Sequence, residues 1–153
     1  MPKLRFIPFE EKHATDFKNL NIEWLESFFE VEPYDEQVLG NPEKHILSPG
    51  GAIFMASLDG EIIGTFAYIK KEEDTYEFSK MAITPKHRGK GYGNTMVQFV
   101  VDEAKRQGWK KLILFSSTIL ENSIHLYRKY GFVEVPLGDC NYARGNIKME
   151  RAL

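Results

Sequence analysis

Between Lys86 and Asn94 the chain reads KHRGKGYGN, with three glycines at every second position behind three basic side chains. Glycines at this density let backbone N–H groups approach a phosphate closely, and a helix starting there adds a dipole that favours anions. Lys86, Arg88 and Lys90 can add charge-assisted bonds. The chemistry on offer is a pyrophosphate cradle without a metal. A Walker A loop is excluded, because Gly89-Lys90 is followed by Gly91 and no Ser or Thr stands where a Mg²⁺ ligand belongs. A dinucleotide fingerprint also fails: Gly89 and Gly91 fit, but the third glycine would fall at Asn94. A charged loop with no ligand remains the bland alternative. It leaves the entropy cost of three close glycines without a return.

The flanking segments supply a strand before this loop and a helix after it. Asp74–Pro85 (DTYEFSKMAITP) has strand character and ends at a proline that cannot donate to a ladder. Asn94–Gln107 predicts an amphipathic helix with Met96, Val97, Val100, Val101 and Ala104 on one stripe and Gly108 closing it. Elsewhere, Leu4–Phe9 reads as a first strand and His13–Phe29 as a helix. Residues 31–51, with three prolines and three glycines, read as short helical pieces and loops. Two β-rich runs around Asp59-Gly60 predict a tight hairpin. Lys110–Ser117 is a strand covered on both faces, Glu121–Tyr130 a short helix, and FVEVP and NIKMERAL closing strands. The order β-α-(α)-β-β-β-α-β-α-β-β predicts an α/β (α+β) domain: a mixed sheet with helices on both faces, spanning residues 1–153 as one unit.

Composition narrows the partners. The 153 residues carry 20 basic and 22 acidic side chains, for a net charge of −2. That balance argues against a protein devoted to nucleic acid or to anionic membrane. Cys140 is the only cysteine, so no internal disulfide can form, and the four histidines show no metal-ligand spacing. No apolar run approaches the ~18 residues of a membrane span. The expectation is a soluble cytoplasmic protein with no metal, no nucleic acid and no membrane partner.

MAITPKHRGKGYGNTMVQFVVDEAKRQGWKKLILF, followed by IHLYRKYGF, resembles the acetyl-CoA-binding core of the GCN5-related N-acetyltransferase (GNAT) superfamily. The first part resembles the family's R-x-x-G-x-G motif between a strand and a helix. The second resembles its L-Y-x-x-x-G-F helix, here Leu126-Tyr127 through Gly131-Phe132. The resemblance implies a mixed sheet splayed between its fourth and fifth strands, with pantetheine in the gap. It implies that the backbone of Met81, Ala82 and Ile83 pairs with the pantetheine arm. It further implies that Arg88, Gly89, Lys90, Gly91, Tyr92, Gly93 and Asn94 hold the pyrophosphate of acetyl-CoA, the cosubstrate. Many members carry Asn seven residues before the motif tyrosine; here that position is Leu120, and Asn122 stands two residues on. A homodimer is a family-level expectation.

Moving an acetyl group to an amine requires that the amine lose a proton, since a lysine-like amine has a pKa of ~10.4. Glu77 is the candidate base. Four residues before Met81, it shares that residue's face if strand alternation is unbroken; a strand carboxylate simply paired with a lysine is the alternative. Tyr127 is the candidate acid for the leaving thiolate, on the helix face of Leu120 and Ile124. A core tyrosine bonded to a backbone carbonyl is its alternative reading. The acceptor side is assigned to residues 17–51 and the turn near Tyr142 and Arg144, with Trp24 and Phe28 as further candidates. EWLESFFEVEPYDE (Glu23–Glu36) could receive a cationic amine or be a solvated acidic face; Arg144 could instead recognise a carboxylate. The functional expectation is acetyl-CoA-dependent N-acetylation of a small-molecule or peptide amine. The competing class is a catalytically silent acyl-CoA-binding sensor or interaction module.

Overall fold

The computed structural model describes residues 3–138 and 144–153. Strand β1 (Leu4–Pro8) is followed by a 3₁₀ turn at Glu11–His13, helix α1 (Ala14–Phe28) and helix α2 (Pro33–Gly40). After a π-type turn at Glu43–Leu47 come β2 (Ala52–Leu58), β3 (Glu61–Glu72) and β4 (Thr75–Ile83). A 3₁₀ turn at Pro85–His87 leads into α3 (Tyr92–Arg106), β5 (Lys111–Ser116), α4 (Glu121–Lys129), β6 (Val133–Val135) and β7 (Ile147–Ala152). The expected element order holds, with α3 beginning two residues earlier than its periodicity suggested.

One sheet runs in the order β1-β2-β3-β4-β5-β7-β6. Among the described residues β4 and β5 are its one parallel pair, and the other pairs are antiparallel. Local chemistry explains several joints. Asp59 and Gly60 both have positive φ, 50° and 89°, which the right-handed twist of a two-residue hairpin demands. Glu32 and Asp35 form a reciprocal capping box that starts α2 at Pro33. Helix α3 closes as a Schellman motif, with Gly108 N–H on the Lys105 carbonyl and Trp109 N–H on that of Ala104.

The core has two layers, one on each sheet face. Met96, Val97, Val100, Val101 and Ala104 of α3 pack with Phe66 and other residues on one side. Each of the larger chains contributes roughly 1.5–3 kcal/mol relative to exposure. On the other face Phe17, Leu20 and Leu25 of α1 pack with Val38 and Leu39 of α2 against Met55 and Ala67. Asn21, buried on α1, satisfies its amide on the Phe17 carbonyl at 3.0 Å. The helices are therefore anchored on opposite faces, and β4 lies between them.

Candidate active site

The glycine loop presents its backbone outward. Gly89 and Gly91 have φ of 76° and 85°, and open space surrounds the position where a Cβ would stand. A side chain there would force the strained left-handed region. Among the described residues, the N–H groups of residues 89–94 have no intramolecular acceptor, and the first α3 bond is Thr95 N–H to the Gly91 carbonyl at 3.3 Å. The Arg88 N–H is taken by the Pro85 carbonyl at 3.2 Å, so the cradle begins one residue later than the nominated Arg88. Arg88 contributes its side chain instead: Nε donates to the Ile83 carbonyl at 2.8 Å, while Nη2 is buried without a partner. Asn94 ties α4 to this turn, its Oδ1 accepting from Lys129 Nζ at 2.9 Å and Tyr130 OH at 3.3 Å. Free N–H groups, open space at both left-handed glycines and an orphaned guanidinium nitrogen fit a pyrophosphate.

Beyond the loop the sheet opens. β4 and β5 pair only at Thr75–Lys111, Tyr76–Leu112 and Glu77–Ile113. Past Glu77, the β5-facing edge of β4 has no strand partner among the described residues, although the Ile83 carbonyl accepts from Arg88. The gap forms a cleft of about 110 Å³, with Glu77, Lys80 and Met81 on one wall, Ser116 on the other, and Trp24 and Tyr127 at its sides. Leu120, where the family resemblance leads one to expect Asn, also lines it, whereas Asn122 is exposed and does not.

Glu77 is buried, its side chain 8% exposed, with Oε1 3.5 Å from Lys71 Nζ. It does not share a face with Met81. The β3–β4 register shifts from Ala67–Ser79 to Thr65–Ala82, and Lys80 at this bulge has φ of +56°. One extra residue reverses the alternation. Tyr76, Phe78, Met81 and Ile83 therefore pack on the α3 side, whereas Ala82 packs on the α1 side. Glu77 and Met81 still meet, because the cleft passes between the parted strands.

Tyr127 packs edge-on against Phe78 and Phe132, with centroids 6.0 and 6.1 Å away. Burial pushes its hydroxyl up to about 12, against a smaller opposing effect from a Ser123 hydrogen bond. Asp35, fully buried, is gripped by Arg144 through Nη1 at 2.9 Å and Nη2 at 2.8 Å. Arg144 Nη1 also donates to Glu32 at 2.9 Å. Its guanidinium is thus engaged by two carboxylates of this chain where it lines the cleft. Burial alone would raise the Asp35 pKa. Bonds from Arg144 and the Glu32 N–H, with the charges of Arg144 and Lys80, outweigh it and hold the carboxyl below its usual value.

Trp24 lines the cleft and packs on Phe28 and Phe29. Phe28 does not line it: 44% exposed, it lies under the Arg88 guanidinium at 5.5 Å and so contacts the cradle instead. Tyr142 and Cys140 lie outside the described residues.

A model of the acetyltransferase (GNAT) family matches residues 15–132. The chain belongs to this family. It is 28% identical over 110 residues to an uncharacterized N-acetyltransferase, YjgM, of Escherichia coli, spanning 69% of this chain and 66% of that protein. Over 99 residues it is 28% identical to human N-acetylaspartate synthetase, covering 63% of this chain and 33% of the relative. The chain thus spans between a third and two thirds of these relatives' length. Among solved structures, a GNAT-family acetyltransferase from Staphylococcus aureus Mu50 aligns with a TM-score of 0.84 at 18% identity, over 98% of this chain and 99% of that one. Mutant forms of the Vibrio cholerae spermidine/spermine N-acetyltransferase SpeG align at 0.76 and 22% identity, over 97% and 93%. The splayed GNAT fold expected from the motifs is the fold observed.

Sequence reasoning missed one charged group of this GNAT cleft altogether, Lys80. Its side chain is 6% exposed, with Nζ 4.0 Å from Asp35 Oδ1. A signal existed: unbroken alternation would place Lys80 on the apolar face of Tyr76 and Phe78, an expensive place for an ammonium. Among the described residues no group of three or more His, Cys, Asp or Glu could hold a metal, and no helix is long and apolar enough to cross a membrane.

Proposed function

We propose that this chain transfers an acetyl group from acetyl-CoA to a primary amine, by direct attack within a ternary complex. The observation that carries the reading is the parting of β4 from β5 immediately after Glu77. It opens the β5-facing edge of β4 beside Glu77, Met81 and Tyr127, which line one cleft, and that edge leads on in sequence to the glycine loop.

In this reading the N–H groups of residues 89–94 and the Arg88 side chain hold the pyrophosphate. The free edge of Met81, Ala82 and Ile83 takes pantetheine as an added strand would be taken. A backbone N–H on that edge stabilises the oxyanion. Glu77 accepts the amine proton, directly or through a water. Tyr127 gives its proton to the departing thiolate, and its raised pKa keeps it protonated near neutrality. The cleft, at about 110 Å³, is well below the roughly 300–1,000 Å³ of a site that encloses a drug-sized ligand. Only the reacting end of the acceptor enters, and the rest lies across Trp24 and the rim of α1. The relatives' names bring amino acids and polyamines forward as acceptor classes to try.

The test couples two measurements. Acetyl-CoA at 100 times its Kd should stabilise the fold by about 2.7 kcal/mol, a rise in Tm of roughly 5–10 °C. A panel of polyamines, amino acids and peptide amines should then release free CoA thiol with at least one member. No shift at millimolar acetyl-CoA would remove the cosubstrate. Binding without release from any amine would leave a silent acyl-CoA-binding module.

A further inference from the structure

Lys80 is unused by the proposed reaction and costly to place. It combines a left-handed φ with a side chain withdrawn from solvent, in the cleft where the chemistry is proposed. An ammonium buried only to neutralise carboxylates would be needed by them. Here it is not. Asp35 keeps both of its Arg144 bonds, and Glu77 has Lys71 at 3.5 Å. Each carboxylate facing Lys80 thus has a second cation, so Lys80 can become neutral without orphaning either.

Position adds to this. Lys80 immediately precedes Met81, on the stretch of β4 past its pairing with β5, and it lines the same cleft as Glu77 and Tyr127. Its side chain therefore lines the cleft that an acceptor amine has to enter. We propose that Lys80 Nζ is an acetyl acceptor in cis, so that with acetyl-CoA bound and no external amine the protein acetylates its own cleft.

The inference rests on the proposed acetyl transfer. The neutral amine attacks the thioester carbonyl, a C–N bond forms, and the C–S bond breaks with its electron pair leaving on sulfur. The sulfur takes a proton from Tyr127, which is reprotonated from the attacking nitrogen. The extra proton of the resting ammonium has already passed to Glu77 and then to solvent before attack, so the nitrogen keeps one hydrogen in the amide. The products are an uncharged acetyl-lysine and free CoA, and the amide then fills the cleft against other acceptors.

The protonation state is suited to this. Burial pushes Lys80 down to about 8, against the opposing charges of Asp35 and Glu77 and with help from nearby Arg144. Half of the amine is then neutral at pH 8 and roughly a tenth at pH 7. Charged and titratable groups facing it include Asp35 from α2, Glu77 on β4 and Arg144 before β7, with Tyr127 of α4 also lining the cleft.

The experiment is incubation of the full chain with acetyl-CoA alone, followed by intact mass and peptide mapping. One acetyl group per chain should appear, at Lys80, ahead of the exposed Lys86 and Lys90, with an equal amount of free thiol. The rate should rise close to tenfold between pH 6 and 7 and level off above about 8. Prior acetylation should reduce turnover of an external amine in proportion to the fraction modified. Lys80→Arg should abolish the mark; mapping of the unmodified chain decides the matter even if that variant folds poorly. Protein that binds acetyl-CoA and turns over an external amine, yet stays unmarked at Lys80, overturns the inference. Marking of Lys86 or Lys90 first also overturns it. Failure of acetyl transfer itself is distinct, showing as no thermal shift or no thiol release.

Discussion

Replacing Asp35 with asparagine should cost the fold about 3 kcal/mol. The carboxylate is fully buried and accepts from Arg144 at 2.8 and 2.9 Å and from the Glu32 N–H at 2.9 Å, with Lys80 Nζ at 4.0 Å. Asparagine preserves the volume and can keep the Glu32 bond, but it removes the charge and one acceptor. Removing one partner of a buried ion pair typically costs 3–5 kcal/mol. The lower end applies here because Arg144 retains Glu32, whose side chain is 25% exposed. For a domain of this length, ~3 kcal/mol corresponds to a fall in Tm of roughly 6–12 °C. Urea unfolding of Asp35→Asn, Arg144→Gln and the double variant should give losses that do not add, with a coupling of at least about 1.5 kcal/mol. The pH dependence has a defined sign. The folded Asp35 carboxyl lies below its unfolded value of ~3.9, so the unfolded chain binds more protons in that interval. Its stabilisation is complete above the unfolded value and is lost as pH falls through the folded one. The Asp35 share of the gap between the native chain and Asp35→Asn should therefore be complete above about pH 5 and narrow below pH 4. A loss under ~1 kcal/mol at pH 7, or additive single losses, would refute the account of this cluster.

Two further outcomes follow. Tyr127→Phe should lower kcat by about 10²-fold or more, as expected for loss of a general acid, while the acetyl-CoA thermal shift is retained; equal losses in both would assign the tyrosine to packing alone. Gly91→Ala forces a left-handed φ of 85° on alanine, costing about 1–2 kcal/mol, and weakens acetyl-CoA binding at the cradle. Gly40→Ala, at the end of α2 with no atom within 4 Å of the new methyl, is the control and should leave binding unchanged.

What could be read from the sequence was local or repetitive. The α3 stripe is set by 3.6-residue periodicity, and all five nominated side chains are buried. The Asp59-Gly60 hairpin follows from which residues tolerate positive φ, and the glycine loop from its excess of them. The unread parts depend on distant partners. Arg144 meets Asp35 across 109 positions of chain, so its engagement leaves no local trace. Two-residue alternation fails in β4 because it presumes an unbroken ladder, and the ladder changes just where β5 departs. The consequence can be followed residue by residue. Without the bulge, Lys80 would continue the face of Tyr76 and Phe78 into the layer beneath α3, and Met81 would face Asp35. The inserted residue exchanges them: Met81 packs against that core, and the ammonium lies beside a carboxylate in the cleft. The left-handed backbone at Lys80 thus avoids a larger cost, a charge buried among aromatic rings. The same exchange sets an amine of this chain in the path of an acceptor, so the strained residue and the proposed acetylation site are one.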